Sequence, residues 1–266
     1  MIHLQSVHLR PVPQVAEFPF SLAVIKTFKE LRLEKPITLL VGENGTGKST
    51  VLEALACAAD MVVVGSESTR TDRSLTHARE LGRYFTLSWK KRTRRGFFLR
   101  AEDFFGYARR LNQMRAEMES DLQEIDAEYK DRSDYARGLA RMSTAHELGA
   151  MRKRYGEGLE ARSHGEAFLA LFQSRFVPGG LYLLDEPEAP LSPLRQLALI
   201  AAIKEMVDQN GQFIIATHSP ILMACPDASI LNFTEGGIHP ANYEELEHIR
   251  LMRDFLNDPQ VFLRNL

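Results

Sequence analysis

The chain of 266 residues carries 33 Lys and Arg against 35 Asp and Glu, for a net charge of −2, and 44% of its residues are hydrophobic. That balance excludes a uniformly basic, histone-like protein and an acidic disordered tail. The length suits one large α/β domain whose core needs no disulfide or metal staple. Cys57 and Cys225 stand far apart in apolar surroundings, with no CxxC pair and no zinc spacing, and read as reduced, buried thiols. The chain opens without a signal-peptide pattern. Its most apolar early run, 54–64, is broken by Asp60 and is too short to span a bilayer. A cytoplasmic protein with no direct membrane insertion is expected.

In chain order, residues 1–35 alternate polar and apolar around Pro11, Pro13 and Pro19, which predicts short edge strands joined by turns. Residues 37–41, ITLLV, form the continuous apolar run of a strand buried on both faces. A glycine-rich turn follows, then a helical pattern over 49–59. Residues 66–80 are polar and predict loop. Residues 84–89 and 96–100 read as two strands around a basic turn. A helix is expected from about Asp103 to Tyr135, where Leu111, Met114, Met118, Leu122, Ile125 and Tyr129 recur every three or four residues as one apolar stripe. Residues 181–184 and 213–217 are short apolar strands, and 194–207 and 243–256 read as helices. Strands and helices alternate about a helix-rich middle, so the class is α/β.

The turn after the first buried strand runs Gly42, Glu43, Asn44, Gly45, Thr46, Gly47, Lys48, Ser49, Thr50 and fits GxxxxGK[ST], with strand before and helix after as the pattern requires. Its glycines let backbone N–H groups turn inward around phosphate oxygens, and the helix start adds positive potential. Lys48 is suited to bridge the β- and γ-phosphates of a nucleotide, and the Ser49 hydroxyl to ligate Mg²⁺. The competing reading is a glycine-rich strand–helix turn with a chance lysine. Residues 181–188, LYLLDEPE, end an apolar run on adjacent acids. A strand parallel to the first would finish beside the phosphate loop. Asp185 would then hold the Mg²⁺ shell and Glu186 would orient the attacking water. Glu188 reads as a surface or helix-start charge. The next strand runs into Thr217, His218, Ser219 and Pro220. A lone histidine is commonly structural; His218 follows the other two motifs in the order of a γ-phosphate sensor.

The succession GENGTGKST, SHGEAF, LYLLDEPEAPLSP and IIATHSP resembles that of ATP-binding-cassette (ABC) ATPases, and their soluble RecF/SMC-like branch more than transporter subunits. It is similar to compact bacterial stand-alone AAA family ATPases, over nearly the whole chain. The resemblance implies a P-loop NTPase with an ABC-type core sheet, an N-terminal antiparallel β-subdomain and a small helical lobe. That is one domain over 1–266, with 1–102 and 175–266 as the nucleotide-binding core and 103–174 as the helical lobe. It implies ATP and Mg²⁺ as cofactors, and a homodimer on ATP binding. In that dimer the segment Ser163, His164, Gly165, Glu166 of one copy would close over the nucleotide of the other. Ser163 would cap the helix beginning near Glu166, and Gly165 would let the backbone approach a phosphate. His164 departs from the family's first glycine. Glu102 takes the position of the glutamine that senses Mg²⁺, beside Ser49 and Asp185. Residues 189–192 take that of the D-loop but lack its aspartate. Phe18 or Phe20 is the candidate for stacking on adenine, with core packing as the competing role.

Five of the six residues after Trp89 are basic: Lys90, Lys91, Arg92, Arg94 and Arg95. Residues 84–115 hold nine bases against two acids, while 116–134 hold eight acids against two bases. The basic stretch is open to nucleic acid or is a solvated hairpin tip whose charges discourage edge pairing. About 60 residues separate Glu102 from Ser163, which leaves no room for a long coiled-coil arm. The expected function is Mg²⁺-dependent ATP hydrolysis driving a dimeric switch in DNA repair or anti-phage defence, with a separate effector protein as a further partner. The alternatives are the ATPase subunit of a transporter with a separate membrane chain, or a slow ATP-sensing regulator. No NKxD motif occurs, which counts against a GTPase.

Overall fold

The computed structural model describes residues 1–13, 15–64, 69–155 and 164–264. Two sheets organise them. The strands β1 (Leu4–Leu9), β2 (Glu30–Arg32) and β4 (Phe85–Trp89) form a small antiparallel sheet in the order β2-β1-β4. The strands β3 (Ile37–Gly42), β5 (Gly96–Arg100), β6 (Leu181–Asp185), β7 (Gln212–Ala216), β8 (Ser229–Thr234) and β9 (Gly237–Ala241) form the central sheet in the order β5-β6-β7-β3-β8-β9. Its first five strands are parallel, and β9 returns antiparallel to β8. The class is α/β, as expected, with an antiparallel sheet built largely from the N-terminal residues beside the central one.

Side chains alternate across a strand, so the ITLLV run feeds two cores. Ile37, Leu39 and Val41 join a cluster with Phe168 and Phe172 of α6 (His164–Arg175) and with Leu199 and Ile203 of α7 (Pro193–Asp208). Leu40 points the other way, toward Val51, Leu52 and Leu55 of α2 (Lys48–Ala58) and toward the small sheet. The two sheets are tied by Gln212. Its Oε1 accepts from the N–H groups of His3 and Leu4, both at 2.8 Å, and its Nε2 donates to the Leu4 carbonyl at 2.8 Å.

Several expectations change. A short helix, α1 (Ala23–Thr27), interrupts the N-terminal strands. The polar stretch 66–80 contains α3 (Thr76–Gly82), preceded by a 3-10 turn capped by Asp72. Leu75, Ala78 and Leu81, spaced by three, bury that helix against α2 although the rest of it is polar. The basic turn is not a hairpin tip: β4 pairs with β1 and β5 pairs with β6, so residues 90–95 link two different sheets. The helix expected from about Asp103 to Tyr135 is α4 (Ala101–Glu128), which ends earlier, and a second helix that the sequence reading did not name follows it, α5 (Asp134–Tyr155). The Ser133 hydroxyl accepts from the Ala136 N–H at 3.2 Å and starts the second. Ion pairs Arg141–Asp126 and Arg152–Glu119 show the two helices running antiparallel. Of the apolar stripe only Leu122 is fully buried, and Met114 is 48% exposed. Beyond the sheet the stripe has α5 alone to pack on. The hairpin β8–β9 has no counterpart in the sequence reading. The helix expected over 243–256 divides into a 3-10 turn (Tyr243–Glu245) and α9 (Glu247–Asn257), after the short α8 (Pro220–Met223); α10 (Pro259–Leu263) ends the described chain. Among the described residues no helix is long and apolar enough to cross a membrane.

Candidate active site

The phosphate loop forms because β3 ends where α2 begins, five residues later. Gly47 stands at φ +96°, and a Cβ there would meet Val24 Cγ1 at 2.6 Å, so only glycine allows the chain to turn into the helix. Thr46 Oγ1 donates to the Glu43 carbonyl at 2.8 Å and closes the loop. Lys48 is buried, and its Nζ donates to the carbonyls of Gly42 and Glu43 at 2.9 and 2.8 Å. Burial lowers its pKa, against the pull of the carboxylates of Glu186, Asp185 and Glu188.

β6 is separated from β3 by β7. Even so, its last residue reaches the loop: Ser49 Oγ donates to Asp185 Oδ1 at 3.0 Å. Asp185 is buried, and desolvation pushes its carboxyl up to about 7, against the hydrogen bond from Ser49. Glu186 follows at φ +48°, turned out of the strand, its N–H held by the Ala216 carbonyl at 2.9 Å. Its Oε1 lies 3.7 Å from His218 Nε2. Burial, with the Lys48 charge adding to it, holds the His218 pKa below the ordinary value, so its ring is neutral at pH 7. Asn44, Gly45, Gly47, Lys48, Ser49, Thr50, Glu186 and His218 thus face one cleft of about 190 Å³, with Leu22 and Phe18 on its rim. Phe18 is 48% exposed and meets His77 edge-on at 5.2 Å, so core packing is not its role. Phe20 is half-buried against Tyr84 and packs on the core.

The donor set fits Mg²⁺ bound with a nucleotide. The described residues hold no group of three or more His, Cys, Asp or Glu able to cage an ion alone. Ser49 and Asp185 supply two hard oxygens side by side, and Mg²⁺ characteristically takes the rest from phosphate and water. Glu102 is exposed in the first turn of α4 and lies 3.6 Å from Arg100. Its charge helps to raise the Asp185 pKa, while its own ion pair is with Arg100.

Ser163 lies outside the described residues. Gly165 is buried in the first turn of α6; a side chain there would run into Arg195 Cδ at 2.8 Å and the Pro190 carbonyl at 3.1 Å. Glu166 accepts from Arg195 of α7 at 2.7 Å. Neither residue lines the cleft of its own chain.

Three contributors were not expected. Glu188 is no surface charge. Burial raises its pKa, and its Oε1 accepts from Thr217 Oγ1 at 2.7 Å and from the N–H groups of His218 and Ser219 at 2.7 and 3.1 Å. The one signal in the sequence is an acid just past a strand end, beside the strand that carries His218. His248 of α9 feels the Lys48 charge and packs its Nε2 2.9 Å from Met223 Sδ; nothing in the sequence marks it. Arg100, buried at the end of β5 and opposite Asp185 in the sheet register, donates to Asp103 of α4 (2.7 Å), to Glu53 of α2 (3.2 Å) and to Asp72 (3.4 Å). Its apolar surroundings hid it among the other basic residues.

Residues 22–134 match a sequence family described as "AAA domain", and residues 167–224 match one described as "AAA domain, putative AbiEii toxin, Type IV TA system". No curated protein matches the chain. Among solved structures it is similar to the Smc head domain of Pyrococcus furiosus with an extended coiled coil, bound to the C-terminal domain of ScpA. The identity is 13%, over 96% of this chain and 100% of that one, with a TM-score of 0.49. It is similar to a nucleotide-free ATP-binding cassette from an ABC transporter at 15% identity, over 98% of each chain, with a TM-score of 0.49. The SMC head domain of Thermotoga maritima is 16% identical, over 91% of this chain and 100% of that one, at 0.45. Both matched stretches of sequence are AAA-type, one spanning the phosphate loop and running into α4 and one running through β6 and β7.

Proposed function

We propose that the protein binds Mg²⁺-ATP, dimerises around it and hydrolyses it, as the engine of a conformational switch. The observation that carries this reading is the Ser49 hydroxyl 3.0 Å from the Asp185 carboxylate, next to Lys48, with Glu186 and His218 facing the same cleft. Phosphate oxygens would take over the Lys48 bonds now made to the loop carbonyls, and Ser49 and Asp185 would hold Mg²⁺, which when bound would offset negative charge on the phosphates. Glu102 stands at the entry to the helical lobe as the residue that reads the ion. Glu186 orients the attacking water. His218, neutral at pH 7, donates to the γ-phosphate from its ring N–H. The exposed Phe18 ring offers adenine a face.

The site is completed by a second copy. Gly165 and Glu166 do not line the cleft of their own chain, and beside them Leu194 and Leu197 of α7 are 76% and 54% exposed, an apolar patch that a partner would cover. The client of the cycle, in this reading, is nucleic acid, contacted through Lys90, Lys91, Arg92, Arg94 and Arg95, in DNA repair or anti-phage defence with a separate effector protein.

Glu186→Gln is expected to lower ATP turnover by about 100-fold or more, retain ATP binding and accumulate a dimer seen by sizing in ATP. Lys48→Ala is expected to lose tight ATP binding. Unchanged turnover in Glu186→Gln, or a monomer at saturating ATP, overturns the mechanism or the dimer respectively.

A further inference from the structure

A second cleft lies at the other end of the strands that carry the nucleotide site. β5 and β6 are parallel, so Arg100 and Asp185 finish them while Gly96 and Leu181 begin them. Four residue steps along the strand separate the two ends by about 13 Å. This cleft has a volume of about 400 Å³, within the range of ligand sites. Arg70, Trp89, Arg92, Arg94 and Arg95 line it, with Asp60 as the acid among them.

The charges are not balanced. Arg70 is spent on Asp60, through bonds of 3.0 and 2.7 Å. Arg92, Arg94 and Arg95 are exposed, and none of the three makes an ion pair among the described residues. The linker that carries them is anchored: Thr93 Oγ1 donates to the Gly179 carbonyl at 3.0 Å and Arg95 Nη1 to the Pro178 carbonyl at 3.3 Å. Three guanidinium groups are thereby held on one short, tethered segment. Trp89, the chain's one tryptophan, is half-buried, packs on the core and lines the cleft.

Guanidinium forks match phosphate oxygens, and an indole face stacks on any unpaired base. A duplex keeps its bases stacked on one another, whereas a concave site beside a tryptophan suits a splayed strand. We propose that this cleft binds single-stranded nucleic acid, with one base stacked on Trp89 and the flanking phosphates held by Arg92, Arg94 and Arg95. This rests on the nucleic-acid reading above and gives it a place and a binding mode.

Because the protein has one tryptophan, its intrinsic fluorescence reports this cleft alone. Titration of the full chain with a short oligothymidylate at low salt is expected to quench that fluorescence. Anisotropy of the labelled oligomer should give the same affinity. The double variant Arg92→Gln/Arg94→Gln is expected to bind at least 10-fold more weakly at low salt, and to flatten the slope of log affinity against log salt by about 1.4. Its melting temperature and ATP affinity should stay those of the wild type. Binding without quenching, and unaffected by the double variant, overturns the cleft and leaves the nucleic-acid reading in place. No binding at low salt removes both. Quenching and competition by polyglutamate equal to those of the oligomer overturn base recognition and leave a site for acidic protein segments.

Discussion

One oxygen of Glu188 accepts three bonds from the turn that carries His218, so the carboxylate fixes where that histidine stands relative to Glu186. Glu188→Ala is expected to lower kcat by about 10- to 100-fold with little change in KM for ATP, because misplacement of a reacting group costs on that scale. Glu188→Gln keeps an acceptor oxygen and should restore most of the rate; a glutamine variant as slow as the alanine one would show that charge, not position, is what matters. Lys48, Ser49, Asp185 and Glu186 are legible in the sequence because each lies in a contiguous motif at the end of an apolar strand. Glu188 and Arg100 are not, because their partners come from other strands and helices through the sheet register. The thiols make a second residue-scale case. Burial pushes both Cys57 and Cys225 from 9.0 up to about 11. Since the thiolate is the nucleophile, iodoacetamide at pH 8 should label neither in the native protein and both in urea. The native chain keeps protons that the unfolded chain gives up between pH 9 and about 11, so stability falls as pH rises through that window.

At the scale of elements, Arg100 ties together three: the phosphate-loop helix α2 through Glu53, the helix α4 through Asp103, and the turn before α3 through Asp72. Its side chain is 6% exposed, and deleting it would strand acidic groups in a poorly hydrated place. Arg100→Ala is expected to cost about 3–5 kcal/mol of stability, read from urea unfolding. A loss under about 1 kcal/mol would mean that the carboxylates rehydrate freely. The elements that escaped the sequence reading share a cause. In α3 only three apolar residues carry the burial and the polar remainder masks them. In α4 and α5 the helical periodicity continues across the reversal, and the break is signalled only by Ser133. β8 and β9 are short, and their pairing across Glu235 and Gly236 has no strong turn signature.

For the whole molecule, the near-zero net charge conceals separation. Nine bases against two acids fall in 84–115, and twelve acids against five bases fall in 180–266. The α/β class and the buried central strand were legible because apolar runs and the phosphate loop are local signals. Of the two readings of the basic link, the hairpin tip fails because adjacency in sequence says nothing about which sheet each strand joins. That link and the nucleotide cleft now stand at opposite ends of β5, which passes directly into α4 at Arg100.

The antiparallel pair α4–α5 has one further consequence. Phe104 and Tyr107 root α4 in the core, whereas its later turns lean chiefly on α5. From its start at Ala101, the 28 residues of α4 extend about 42 Å. The pair is therefore a lever pivoted beside Asp185. A turn of about 15° at the pivot carries the tip through about 11 Å, a helix diameter, so a rearrangement too small to see among phosphate oxygens becomes a displacement that another macromolecule can feel.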